Sequence, residues 1–255
     1  MRKPLGHTIW FKLVLTILVF LPCYTQIPYE SADTTNVIAS VMEHPLAVSI
    51  AWLLPVLKFV LLGAIVSPFL LRHGSERVVL GYYAMILAVI SFFQNMAQTD
   101  TYGFVWLISN TLVELVVLAV CVYDLLKQKS IIKLEHLNRK RAWMVPFMLL
   151  AFLMPYGITA SGRVIPEVTW SILYNEVGVT YCMITPVIIG VLLLFSKGIH
   201  KPTLSVISYV GFLFGCLNMS VWFGLKIENW WMGVLHLPLL ILAFYGLVVS
   251  HRERD

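Results

Sequence analysis

The chain has 255 residues, of which 59% are hydrophobic and only 12% are charged, and its mean hydropathy is +0.84. Its apolar runs are too long for the core of a soluble domain, so the composition predicts an all-α, polytopic membrane helix bundle. The formal net charge of +5 does not indicate nucleic-acid binding, because the Lys and Arg residues lie in short segments between the apolar runs.

The first predicted element is an apolar segment from Thr8 to Tyr24, which follows the basic residues Arg2 and Lys3. A basic start and a short apolar run are also the pattern of a signal peptide. However, no A-x-A-like cleavage site follows, and Pro22 stands before Cys23 where a lipoprotein signal would have a small residue. We therefore predict an uncleaved first membrane helix. Its removal as a signal would leave seven helices in the same orientation.

Eight membrane spans are predicted in one integral-membrane domain that covers residues 1–255. Each is an apolar run long enough to form a membrane helix, bounded by polar or basic residues. In chain order the spans are Thr8 to Tyr24, Leu46 to Leu71, Val78 to Met96, Gly103 to Leu126, Trp143 to Ala160, Gly178 to Ser196, Thr203 to Leu225 and Trp230 to Ser250.

Basic residues are distributed unevenly between the two sides of these spans. Only Arg163 and Lys226 fall on one side, whereas the other collects fourteen: Arg2, Lys3, Arg72, Arg77, Lys127, Lys129, Lys133, Arg139, Lys140, Arg141, Lys197, Lys201, Arg252 and Arg254. Cytoplasmic loops carry the excess of Lys and Arg, so the pattern predicts a multi-pass protein of the cell membrane, inner or plasma, with both termini cytoplasmic. The basic segment from Lys127 to Arg141 is predicted to bind the anionic head groups of membrane lipids at that face.

A faint internal repeat relates the two parts of the chain. The second span contains Pro55 to Leu62 and the sixth contains Pro186 to Leu193, two similar proline-led apolar segments. A short basic hairpin follows each span, at Arg72 to Arg77 and at Lys197 to Lys201. We therefore predict two parallel four-helix halves with a binding site between them. The halves are residues 1–126 and 143–255, and the basic cytoplasmic linker is 127–142.

Two ionisable residues lie inside the predicted spans. Glu114 is eleven residues from Gly103 and Lys58 is twelve residues from Leu46. These spacings give both a depth of roughly 16 to 18 Å, near the bilayer midplane. An isolated charge at that depth is costly and a pair lowers both penalties, so we predict that Lys58 faces Glu114. There are two alternatives: the ion pair is purely structural, or Glu114 is neutral and hydrogen-bonded to Asn110.

Further polar side chains fall in the outer half of the predicted bundle. Together they suggest a polar vestibule that opens outward, ends at Lys58 and Glu114, and binds an unknown small molecule. For any single residue the alternative is a hydrogen bond between helices. The remaining members of this predicted cavity are Gln94, Asn95, Asn110, Asn218 and His236.

Several kinds of chemistry are not indicated by the sequence. It contains no HExxH, GxSxG, Walker or GxGxxG motif, and its seven His residues are too dispersed for a metal or haem pair. Cys23, Cys121, Cys182 and Cys216 form no CxxC pattern. We therefore expect no metal and no cofactor.

Three functions remain open, and the first is the one we expect. It is a small secondary transporter or permease-like protein in which Lys58 and Glu114 form a charge-switch pair. The second is an intramembrane enzyme acting on an isoprenoid or other lipid, with Glu114 as general acid and Asn110 and His236 as positioning groups. The third is a membrane-embedded sensor or assembly subunit.

Overall fold

The computed structural model describes residues 5–159, 164–173 and 175–252, and the chain is mostly helical. Four helical segments in this part are long and apolar enough to cross a membrane, and a bent pair of segments ending at Leu70 would make a fifth. The chain is therefore mostly helical, as predicted, and has four or five candidate membrane spans among the described residues rather than the eight predicted. The α-helices are α1 Ile9–Val19, α2 Thr34–Glu43, α3 Leu54–Leu70, α4 Ser75–Phe93, α5 Ile108–Lys127, α6 Val145–Leu153, α7 Tyr181–Leu194, α8 Lys201–Ser220 and α9 Trp230–Arg252.

Three of the predicted spans form short helices. The longest of these, α7, has 14 residues. It therefore extends about 21 Å, less than the roughly 30 Å of a bilayer's hydrocarbon core. In the predicted span Trp143 to Ala160, α6 ends at Leu153 because Met154 takes a left-handed conformation with φ of 43°. Ala160 itself lies outside the described residues.

Two small antiparallel sheets interrupt the apolar runs. The first has the strand order β1-β3-β2, and the second pairs β4 with β5. Strand β3 occupies the start of the predicted fourth span, with Gly103 and Val105 buried and Phe104 and Trp106 half-buried. This alternation is that of a strand rather than a helix. The strands are β1 Tyr24–Thr25, β2 Met96–Thr99, β3 Gly103–Trp106, β4 Tyr156–Ile158 and β5 Val164–Pro166.

The β2–β3 hairpin and α2 form a small layer at one end of the bundle, which we call the hairpin end. Val37 and Val41 lie four residues apart on one face of α2 and are fully buried. They pack with Ala97, Val105 and Leu107 of the hairpin in a separate hydrophobic core. This layer covers the ends of α4 and α5, because β2 follows α4 and β3 precedes α5.

Helix α3 begins later than the sequence predicts. Residues Leu46–Leu53 form 3-10 turns with a non-helical residue at Ile50, and the chain bends by 87° before α3. Pro55 then occupies the first turn of α3, where its missing N–H costs no hydrogen bond. Lys58 is therefore only four residues from the start of the helix at Leu54, about 6 Å rather than half a membrane.

The basic segments gather at the opposite end of the bundle, which we call the linker end. The Ile131 N–H donates to Gly198 O at 2.7 Å, and the Ile132 N–H donates to Glu76 Oε2 at 3.2 Å. The linker thus contacts both the first turn of α4 and the α7–α8 connection. By contrast, Lys226 Nζ lies 3.9 Å from Glu43 Oε1 at the hairpin end. Four of the predicted flanking charges lie outside the described residues: Arg2, Lys3, Arg163 and Arg254.

Helix α7 lies at the centre of the bundle. It contacts α3, α4, α6, α8 and α9, and every one of its residues except Cys182 is buried. A helix that is apolar on all faces is expected in such a position. A Cβ atom at Gly190 would lie 2.5 Å from Met148 Cγ and Sδ of α6, so any larger residue there would require Met148 to move. Helix α5 packs outside this group, against α4 and α8.

Candidate functional site

Glu114 is buried near the hairpin end of α5. Its side chain is 1% exposed, and it lies six residues after Ile108. This spacing corresponds to about 9 Å of helix, so Glu114 is nearer to the helix end than the midplane position predicted. The difference arises because residues from Gly103 form a strand, and the helix starts five residues later.

Three of the predicted residues are joined by hydrogen bonds. Asn95 Nδ2 donates to Glu114 Oε2 at 2.7 Å, and Asn110 Nδ2 donates to Asn95 Oδ1 at 3.3 Å. Asn95 is fully buried between α4 and β2, and its main-chain oxygen accepts from the Leu107 N–H at 2.8 Å. The turn that leads into the hairpin therefore places the Asn95 amide against the Glu114 carboxyl.

Two small hydroxyl residues complete what we call the Glu114 cluster, namely Ser91, Asn95, Asn110, Thr111 and Glu114. Thr111 Oγ1 donates to Ser91 O at 2.7 Å. Ser91 Oγ is buried, interacts with the Glu114 carboxyl, and has no hydrogen bond within the normal distance among the described residues. Ser91 and Thr111 were not among the residues predicted from the sequence. Their positions were a signal: Ser91 is in the last turn of α4, four residues before Asn95, and Thr111 is three residues before Glu114 on the same face of α5.

Helix α7 brings a second group of polar atoms towards the cluster. Tyr83 OH and Thr185 Oγ1 are 2.9 Å apart. The buried Tyr181 hydroxyl lies beside these two groups. Tyr83, Tyr181 and Cys182 are also the neighbours of Glu114 from α4 and α7. The carboxyl therefore lies close to the contact between α4 and the start of α7.

Gln94 and Asn218 lie at the rim of this region and are half-buried. Gln94 Oε1 accepts from the Tyr181 N–H at 2.9 Å, which occupies a free donor at the start of α7. Asn218 Nδ2 donates to Cys182 Sγ at 3.2 Å and to Phe214 O at 2.8 Å. Both side chains thus connect α7 to its neighbours, and neither bonds Glu114 directly.

Lys58 does not face Glu114, and the predicted charge pair is wrong in this conformation. Its side chain is 3% exposed, and Nζ donates to Ile172 O and to Asn175 Oδ1, the latter at 2.9 Å. Nζ also lies 5.0 Å from the centre of the Phe152 ring. A carbonyl, an amide and an aromatic face therefore surround this ammonium group, and Lys58 attaches the segment before α7 to α3.

His236 is also separate from the Glu114 cluster. Its Nδ1 is 2.8 Å from Met232 O on its own helix, and its ring centre is 5.8 Å from that of Trp222. Met154, Met183 and Met232 form a small core in the same region. No hydrogen bond among the described residues connects His236 to Glu114. The contacts of His236 lie instead in the region of α8 and α9.

The Glu114 cluster is closed in this conformation. Two hollows of the described part lie elsewhere: one of about 210 Å³ at the linker end, beside Glu76 and Lys133, and an apolar one of about 540 Å³ between Phe212 and Phe244. Glu114 is 1% exposed and Asn95 is 0% exposed, so the predicted outward vestibule is not open at Glu114. Within the described residues, no three His, Cys, Asp or Glu side chains are grouped to hold a metal ion.

No basic side chain forms an ion pair with Glu114 in the described part of the chain. The ion pairs found there join other residues, and Lys58 is bonded to the segment before α7. A buried carboxylate without a cation costs several kcal/mol. Glu114 is therefore expected to carry a proton in the closed conformation.

Comparison with known proteins adds no assignment. No protein-family model, no curated protein and no solved structure matches this chain.

Proposed function

We propose that the protein is a small secondary transporter in which Glu114 binds and releases the coupling proton. One observation carries this proposal: a buried carboxyl without a basic partner lies among polar groups of three helices. Such a group is neutral while the site is closed and ionises when water reaches it. Proton coupling requires a carboxyl whose charge depends on whether water can reach it. Glu114 alone therefore replaces the Lys58–Glu114 pair as the coupling element.

The packing of the helices supports two parallel halves, residues 1–126 and 143–255. In the first half α4 packs on α3 and α5, and in the second half α8 packs on α7 and α9, although the α6–α7 and α7–α9 contacts have no comparable counterpart among α1, α3 and α5 in the described residues. The contact of α1 with α5 likewise corresponds to that of α6 with α9. The Glu114 cluster lies on α4 and α5 where they approach α7 and α8. Binding sites of repeat-built transporters lie at such an interface between halves.

The finer topology belongs to the same proposal: eight spans in the cell membrane, with both termini cytoplasmic. Its support is the gathering of basic segments at the linker end, which is the cytoplasmic end by the positive-inside rule. A membrane-impermeant maleimide applied to intact cells should label a cysteine introduced at Asp100, in the β2–β3 turn. A cysteine at Gln128 should react only after permeabilisation. The reverse labelling pattern would refute this orientation.

Anionic lipids are the proposed partners of the linker end. Arg139 and Lys140 are exposed there, beside the half-buried Lys133. Basic side chains next to membrane helices attract anionic head groups by about 1 kcal/mol each.

The transported small molecule is unknown, and nothing in the chain indicates nucleic acid.

A lipid-modifying enzyme is less well supported by this geometry. A lipid substrate would need an apolar channel that reaches Glu114, whereas Glu114 is 1% exposed. The apolar cavity of about 540 Å³ is lined instead by residues of α8 and α9, together with Trp143.

Proton-coupled flux in proteoliposomes tests the transporter proposal. The purified protein is reconstituted with an internal pH dye, and a panel of small solutes is added with and without a pH gradient. We expect at least one solute to move protons, and Glu114→Gln to reduce that flux at least 100-fold. Glu135→Gln, a change at an exposed linker carboxylate, serves as the control and should leave the flux unchanged. Absence of flux for every solute in folded wild-type protein would count against transport.

A further inference from the structure

Helices α8 and α9 pack closely along two glycines of α8, and a groove lies beside their contact. A Cβ atom at Gly211 would lie 3.2 Å from Ala243 Cβ, and one at Gly215 would lie 2.9 Å from Leu240 Cα. Glycines four residues apart let membrane helices approach in this way. The hollow beside this contact, of about 540 Å³, is called the α8–α9 groove. Its lining includes Trp143, Phe212, Cys216, Leu240, Phe244 and Tyr245.

The α8–α9 groove is apolar and opens to the outside of the bundle. Phe244 is 56% exposed and Trp143 is 44% exposed, and no charged side chain of the described part lines the groove. Exposed apolar surface of this kind is typical of a ligand-binding groove or a membrane contact. The chain is predicted to span a membrane, so the molecules next to this opening are lipids.

The groove extends along half of α9. Tyr245 is seven residues before Arg252, the last residue of α9, and Leu240 is twelve residues before it. These spacings place the two groove residues about 10 Å and about 18 Å from the linker end of the helix. The hydrocarbon of one leaflet is roughly 15 Å thick. The groove therefore covers the depth that an acyl chain of the linker-end leaflet occupies.

The linker end of the groove is basic. Residues Arg139–Met144 form a 3-10 helix, in which side chains three residues apart lie on the same face. Lys140 and Trp143 therefore share a face, and both are exposed. Lys140 forms no ion pair within the described part of the chain. Arg141 Cζ lies 5.6 Å from the centre of the Tyr245 ring and adds a second positive charge at this end.

We infer that the α8–α9 groove binds one anionic phospholipid of the linker-end leaflet. Its phosphate lies at Lys140, and one acyl chain lies along Phe212 and Phe244. An apolar groove with a basic end is complementary to an anionic lipid in both charge and polarity, and the Trp143 indole lies between the two parts, where Trp is preferred in membranes. This inference rests on the proposed lipid partners of the linker end and names a single site for one of them.

Lipid retention by the purified full-length protein tests this inference. The protein is held in micelles that contain equal amounts of dioleoyl phosphatidylglycerol and dioleoyl phosphatidylcholine, and bound lipids are counted by native mass spectrometry. We expect one phosphatidylglycerol to be retained per protein, about fivefold in preference to phosphatidylcholine. That factor corresponds to the attraction of one basic side chain for an anionic head group.

Charge variants test the head-group end. Lys140→Gln should remove the preference for phosphatidylglycerol. Lys129→Gln is the matched control, because Lys129 is an equally exposed linker cation that lies beside the end of α5, where its N–H donates to Asp124 O. It should retain phosphatidylglycerol as the wild type does.

Volume variants test the acyl-chain end. Cys216→Trp should fill the groove and reduce retention of both lipids about fivefold or more. Leu217→Trp, at the next exposed position of α8 and outside the groove lining, should leave retention unchanged. The unfolding temperature in lipid-free micelles checks that each variant is folded. If Cys216→Trp does not fold, Cys216→Phe provides a smaller filling.

Two results would overturn the inference: an equal loss of preference in Lys140→Gln and Lys129→Gln, or equal retention by Cys216→Trp and Leu217→Trp. Either result would mean that anionic lipids are attracted by the whole basic linker, so the proposed lipid partners would remain and the single site would be lost. Equal retention of the two lipids by the wild type would remove both proposals.

Discussion

Helix α5 carries two buried carboxyl groups with different surroundings, Asp124 and Glu114, each 1% exposed. Asp124 Oδ1 accepts from the Ser130 N–H and Oδ2 accepts from Ser130 Oγ, both at 2.8 Å, and His200 Nδ1 lies 3.9 Å from Oδ2. Glu114 accepts one amide hydrogen bond, from Asn95 Nδ2, and its carboxyl lies beside the Ser91 hydroxyl. The two carboxyl groups are therefore equally buried but differ in the number of hydrogen-bond donors that they receive.

The position of each residue on the helix explains this difference. Asp124 is in the last turn of α5, and Gln128 follows in the left-handed conformation with φ of 48°. The chain reverses there and brings the free N–H of Ser130 back to the carboxylate. Glu114 lies inside the helix, where neighbouring N–H groups already bond within α5. It depends on side chains from elsewhere, and these can separate if the helices move.

The difference between Asp124 and Glu114 can be tested with the free energy of unfolding, measured by reversible unfolding in mixed micelles. The largest loss is expected at the linker end, from Arg141→Met. Arg141 Nη1 donates to Leu193 O at 2.8 Å and to Ser196 Oγ, at the end of α7 where a cation is favourable. Removing it takes a charged donor away from both acceptors and should cost about 3 kcal/mol. Arg139→Met, at an exposed position, should change the unfolding free energy by less than about 0.5 kcal/mol.

Asp124→Asn should give the second largest loss, about 2 kcal/mol, because the amide cannot accept at both positions and the charge-assisted bonds to Ser130 are lost. Asp100→Asn in the exposed hairpin turn is the matched control. A stability equal to that of the wild type would show that the Asp124 bonds are not needed for the fold.

Lys58→Met should cost about 1 kcal/mol, because Ile172 O and Asn175 lose a donor while the apolar stem of the side chain is retained. In a double-mutant cycle with Glu114→Gln, the coupling energy should be under about 0.5 kcal/mol, as for residues that share no partner. A larger coupling would restore the charge pair predicted from the sequence.

Glu114→Gln should have the smallest effect on stability, within about 0.5 kcal/mol of zero, because Gln can still accept from Asn95 and buries no charge. The same acid-to-amide change is thus expected to damage the fold at Asp124 and to spare it at Glu114. A loss at Glu114 as large as that at Asp124 would remove the distinction between the two carboxyl groups.

Some of this site was predictable from the sequence. Glu114, Asn95 and Asn110 stand out because each is a polar residue within or beside an apolar run, and the structure joins all three. Asp124 gave no such signal. A charge at the end of a helix beside Lys127 is usually solvated, and only the chain reversal places Ser130 against it.

The depth of the charged residues was not predictable, because hydropathy does not show where a helix starts. Gly103–Trp106 and Leu46–Leu53 are as apolar as the helices that follow them, yet they form a strand and 3-10 turns. Counting from those residues moved both Lys58 and Glu114 towards the midplane and produced a pair that the structure does not contain.

The enclosure of α7 has a consequence for biogenesis. Membrane helices first insert singly and later associate, but α7 has no lipid-facing side and is about 21 Å long. A nascent chain that ends at Leu194 would leave this helix without the α8 and α9 surfaces that cover it. We therefore expect such truncated chains to be retained by chaperones and degraded, and the protein to become protease-resistant only after α9 is synthesised.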